Sequence, residues 1–120
     1  MNTPSLGVVL VGSADPARLR AWYAAAFGVH PDADGFLDFG ATSILIDKRE
    51  VASYTAEPGR VILTFTVADL PAAERRLVDN EVTWVREVQE SSFGLIGTLV
   101  DPDGNYVQVL EMQARGGGEA

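Results

Sequence analysis

One corner is written twice in this chain. LVGSADPARLRAWYAAAFGV, beginning at Leu10, and VILTFTVADLPAAERRL, beginning at Val61, each run from a short apolar stretch into an aspartate, a proline and a striped helix. Val8 matches Ile62 and Asp15 matches Asp69 at one offset, 54 residues, since 62−8 and 69−15 agree. A repeat of this length inside 120 residues points to two equivalent halves packed as one domain, a size at which a chain buries enough surface to stand without staples.

The elements follow from local signals. Val8 to Val11, bounded by Gly7 and Gly12, reads as a strand. Asp15 suits a helix N-cap and Pro16 its first position, Leu19, Trp22, Tyr23, Ala26 and Phe27 form one apolar stripe, and Gly28 ends the helix. Phe36 to Phe39 and Thr42 to Asp47 read as a hairpin, and the polar stretch from Lys48 to Gly59 as a connection. Val61 to Val67 alternates as a strand, Asp69 and Pro71 repeat the cap, Ala73 and Leu77 mark a second helix, and Asn80 is placed to end it in the left-handed conformation. Strands are expected over Thr83 to Glu90, Leu95 to Val100 and Asn105 to Glu111. The fold class is therefore α+β: two βαβββ modules, about 6–56 and 60–112, forming a curved mixed sheet around a cleft. They make a single domain over 1–113, with 114–120 expected as a disordered tail.

Composition narrows the chemistry. The chain has no cysteine, which removes disulfides, thiolate nucleophiles and thiolate-held metals. A formal net charge of −8 disfavours nucleic acid and anionic membrane as partners. The amino terminus has no basic region ahead of a long apolar run, so a cytoplasmic location is expected. His30 is the only histidine and precedes Pro31 in a loop, far from anything like a nucleophile elbow. There is no P-loop and no dinucleotide fingerprint. In DPDGN, residues 101–105, Pro at the second position and Gly at the fourth suit a type I turn and do not match an EF-hand.

The two corners, together with the ending FGLIGTLVDPDGNYVQVLE from Phe93, resemble the vicinal oxygen chelate superfamily of glyoxalases, bleomycin-resistance proteins and extradiol dioxygenases. The resemblance covers about Val8 to Glu111. It implies paired modules whose metal-dependent members carry a ligand, often histidine, on each first strand and a glutamate on each last strand. Such an ion polarises two substrate oxygens or binds dioxygen. Carried over, those positions fall on Val8, Ile62, Gln108 and one residue within Ile44 to Ile46, none of which is a good ligand. Glu111 lies three residues beyond Gln108, so strand parity puts it on the other face.

What remains is a cleft of a different kind. Its expected ligand-binding residues are Val8, Leu10, Ile44, Ile46, Ile62, Thr64, Tyr106 and Gln108, with Phe39, Trp84 and Phe93 at the rims. This is an apolar and aromatic lining with a few neutral polar groups. No metal, no cofactor and no catalytic residue is assigned. The resemblance then implies a metal-independent small-molecule-binding protein of the bleomycin-resistance type. It would be a homodimer holding an aromatic or hydrophobic natural product in a dimer cleft, as in antibiotic sequestration or self-resistance. The alternative is a glyoxalase-like lyase, isomerase or dioxygenase with a non-standard site.

Overall fold

The structure is a computed structural model and describes residues 2–113, so the expected tail lies outside the described residues. The chain divides into two units between Tyr54 and Thr55.

The first unit contains β1 (Val8–Ser13), α1 (Pro16–Phe27), β2 (Leu37–Phe39) and β3 (Thr42–Lys48). Asp15 caps α1 by accepting from the Arg18 N–H, Pro16 opens the helix, and Gly28 closes it in the left-handed conformation at φ 68°. All three local signals are realised. The sheet runs β1-β3-β2, with β1 parallel and β2 antiparallel to β3. Leu19, Tyr23 and Ala26 of α1 are buried with Leu37, Ile44 and Ile46 of the sheet. Phe27 meets Phe39 edge to face at 6.0 Å.

The second unit contains β4 (Leu63–Thr66), α2 (Leu70–Asp79), β5 (Thr83–Ser91), β6 (Gly94–Val100) and β7 (Tyr106–Met112), in the order β4-β7-β6-β5. β4 and β7 are parallel and the other pairs antiparallel. Leu70 and Leu77 of α2 and Leu99, Val107 and Val109 of the sheet are completely buried. Each such side chain stabilises the unit by about 1.5–3 kcal/mol relative to exposure. Asp69 caps α2 through the Ala72 N–H. The helix does not end as the sequence suggests, because Asn80 keeps φ −91° and Glu81 takes the left-handed position at φ 58°. Asn80 instead uses its side-chain amide to donate to the Arg76 carbonyl, which also accepts from the Asn80 backbone N–H.

Matching the units by pairing shows one departure from the repeat. β3 is parallel to β1 as β7 is to β4, and β2 is antiparallel to β3 as β6 is to β7. The strand equivalent to β5 has no counterpart in the first unit, where residues 28–36 take its place. Pro31 lies in this segment, and the Asp32 carboxylate accepts from the Asp34 and Phe36 N–H groups. Those bonds hold a local turn where a strand would need its N–H groups free for a ladder.

Among the described residues no helix is long and apolar enough to cross a membrane.

Candidate functional site

Each sheet has a face covered by its helix and an open face, and register assigns residues to them because paired residues on neighbouring strands share a side. In the second unit Leu99, Val107 and Val109 lie under α2. The open face carries the alternate residues. Thr64 pairs with Gln108, and Gln108 with Thr98, which in turn pairs with Arg86, so one row crosses all four strands. On one side of it lie Tyr106 and Val100, and on the other Thr66, Leu110 and Ile96.

The row is hydrogen bonded through its middle. Thr64 Oγ1 donates to Gln108 Oε1 at 3.0 Å, and Gln108 Nε2 donates to Thr98 Oγ1 at 3.3 Å. A glutamine on an open sheet face would otherwise sample several rotamers, and two flanking hydroxyls reduce that freedom. Tyr106 is held at the end of β7 by its N–H, which donates to the Pro58 carbonyl at 3.1 Å, and its ring lies beside Gly59. Ile62 stands two residues before Thr64 and is 36% exposed.

Glu111 lies on the other face, as parity requires. Its carboxylate accepts from the Leu70 N–H at 2.7 Å, at the start of α2, where a negative charge is favoured. The turn ahead of β7 is likewise closed on itself. The Gly104 N–H donates to the Asp101 carbonyl, and Asp101 Oδ1 accepts from the Asp103 and Asn105 N–H groups. Asp101 is therefore a structural turn residue, only 3% exposed.

Four of the expected lining residues face elsewhere. Val9 pairs with Ile44 and Val11 with Ile46, so both isoleucines lie on the α1 side and are buried, while Val8 and Leu10 share the open face with Ser43 and Leu45. Phe39 is on the α1 side with Leu37 and packs on Phe27. Trp84 pairs with Leu99 on the α2 side, and a Cβ built on Gly97 would come 3.0 Å from its ring. The reason in each case is register, which alternation within one strand cannot fix. For Trp84 a bulge decides it: Trp84 pairs with Leu99 and Arg86 with Thr98, so two residues of β5 span one of β6 and their side chains take opposite faces. Phe93 is exposed in the β5–β6 turn. The same register adds Thr98, Leu110 and Arg86, which inspection of single strands missed. A depression of about 390 Å³ lies at the far end of these strands, lined by Glu90, Ser91, Leu95, Glu111 and Met112 among others. It shares no residue with the Gln108 row.

Register also locates the one position that the sequence left open. Leu10 plus 54 is Thr64; Leu10 pairs with Leu45 and Thr64 with Gln108, so Leu45 is the first unit's counterpart of Gln108.

A model of glyoxalase-like domains matches residues 8–110. The chain belongs to this family. No curated protein matches it. Solved structures share the fold at low identity. One is a glyoxalase/bleomycin resistance protein/dioxygenase family enzyme from Burkholderia phytofirmans, 16% identical with TM-score 0.74, covering 92% of this chain and 100% of that one. Another is TnmS3, an antibiotic binding protein from a Streptomyces species, 20% identical with TM-score 0.68 over 94% of this chain and 99% of its own. A Vibrio cholerae integron cassette protein is 23% identical with TM-score 0.66, over 91% and 95%.

Within this glyoxalase-like chain the residues at the positions that the resemblance assigns to metal ligands do not fit a divalent ion. Val8, Ile62 and Leu45 have no donor atom, and the neutral Gln108 oxygen already accepts from Thr64. Among the described residues no group of three or more His, Cys, Asp or Glu is placed to hold a metal.

Proposed function

We propose that this chain is a metal-independent small-molecule-binding protein that holds an aromatic or otherwise hydrophobic natural product, and that it works in the cytoplasm as a homodimer. The observation that carries the reading is the Thr64–Gln108–Thr98 row. A neutral, hydrogen-bonded amide stands where a catalytic relative would hold a carboxylate, with Tyr106, Val100, Leu110 and Ile96 beside it. Such a surface offers apolar area for affinity and a few fixed polar groups for orientation. An antibiotic-binding neighbour with the same fold supports a sequestering role. Leu6, Val8 and Leu10, exposed by 68%, 46% and 58%, support a second copy as cover.

Equilibrium titration of the purified protein against a panel of aromatic natural products, with products of the same mixtures followed by mass spectrometry, tests it. Saturable binding with every compound recovered unchanged is expected. Turnover without saturable binding would replace this reading with the glyoxalase-like lyase, isomerase or dioxygenase alternative.

A further inference from the structure

From the geometry of the Gln108 row we infer a ligand class: neutral molecules that carry a hydrogen-bond acceptor and an N–H or O–H donor side by side on one edge, as a lactam or imide does. The inference rests on the reading of this face as the ligand platform and adds what the ligand must present to it.

A primary amide has four hydrogen-bonding valences, two lone pairs on oxygen and two N–H bonds on nitrogen. Gln108 stands on β7 between Thr64 on β4 and Thr98 on β6, both in direct register with it. Threonine is the shorter side chain, so its hydroxyl lies nearer the sheet than the glutamine amide. The two threonines therefore meet the inward, lateral valences, one on Oε1 at 3.0 Å and one on Nε2 at 3.3 Å. The outer lone pair of Oε1 and the outer N–H of Nε2 are left pointing away from the sheet, roughly parallel and adjacent. Exchanging the two amide atoms would not alter this, because each hydroxyl can donate or accept. The outward edge would keep the same pair in reverse order.

An adjacent donor and acceptor read a complementary edge by two parallel bonds, the principle by which glutamine reads the adenine edge in nucleic acids. A ligand lacking one member leaves an amide valence without a partner beneath a covering ring, and that omission costs more than the bond itself contributes. The rows on either side, with Tyr106 and Val100 on one and Leu110 and Ile96 on the other, supply flat apolar support for the attached rings. Thr64 and Thr98 act here as positioning residues.

The test uses 2-quinolinone, its N-methyl derivative and naphthalene, titrated into the full chain while the side-chain amide and backbone resonances of the β4, β6 and β7 residues are followed by ¹H–¹⁵N NMR. The lactam is expected to bind about 10-fold or more tightly than the N-methyl compound and to shift the Gln108 side-chain amide. In Gln108→Glu the outward edge accepts only, so the lactam preference should vanish and protonated 2-aminoquinoline, which presents two donors, should become the best binder. Gln108→Met keeps the shape and should bind all of these probes within about twofold of one another. The NMR spectrum of each variant reports whether it is folded. Equal affinity of the lactam and its N-methyl derivative for the wild-type chain would overturn the inference and leave the binding function standing. If no probe moves a resonance on this face, the inference and the proposed platform fall together.

Discussion

Asp101 and Glu111 show how this chain uses its carboxylates. Both sit near the expected site, and both are committed to backbone N–H groups, Asp101 to those of residues 103 and 105 and Glu111 to that of Leu70. Because Asp101 is buried, Asp101→Ala strands two N–H donors and is expected to lower unfolding free energy by about 1–3 kcal/mol. Glu111→Ala removes a charge-assisted bond at a helix start and should cost about 1–2 kcal/mol. Urea denaturation checks both, and an unchanged midpoint in either variant would contradict its role. Ligand affinity offers the complementary readout at Gln108, where Thr98→Val should weaken binding severalfold without loss of fold, because an isosteric methyl no longer orients the amide. At this scale the DPDGN turn and the face of Glu111 were legible from the chain, since turn chemistry and strand parity are local. The bond between Thr64 and Gln108 was not, because it joins residues 44 apart through a register that no local pattern specifies.

At the scale of elements, the two helix starts follow directly from Asp15-Pro16 and Asp69 with Pro71, while the end of α2 does not follow from Asn80. Asparagine tolerates the left-handed region, but here its amide is engaged with the Arg76 carbonyl and the turn passes to Glu81. A non-glycine residue pays about 1 kcal/mol or more for that conformation, so Glu81→Gly is expected to raise stability by about 0.5–1 kcal/mol. An equal or lower melting midpoint would show that the strain is relieved elsewhere. The bulge in β5 matters for the site, because it sends Trp84 beneath the sheet toward Gly97 and Arg86 onto the open face. Gly97→Ala should therefore cost about 1–3 kcal/mol through contact with Trp84 and Val88. A bulge leaves no mark in an alternating sequence such as TWVREVQES, which is why the face of Trp84 had to come from pairing.

At the scale of the whole molecule, the 54-residue offset made the paired α+β modules legible, while the family resemblance rested on the two corners and the ending FGLIGTLVDPDGNYVQVLE, which the offset supports. The missing counterpart of β5 went unseen because residues 28–36 keep the length of a strand while Asp32 and Pro31 bend them into a turn. A homodimer carries its own expectation: the purified chain should have twice its monomer mass by light scattering, and Leu10→Glu should shift it to monomer. A monomeric wild type would remove the second copy as the cover for the open faces. The central proposal is that this glyoxalase-like protein binds its ligand without a metal, on the open face of the second unit that carries Gln108. The direct test is the affinity of the tightest-binding panel compound before and after exhaustive dialysis against EDTA, with bound metal quantified in both samples. The expected result is the same affinity in both, at far less than one metal per chain. Loss of binding on dialysis, restored by adding back a stoichiometric divalent ion, would contradict it.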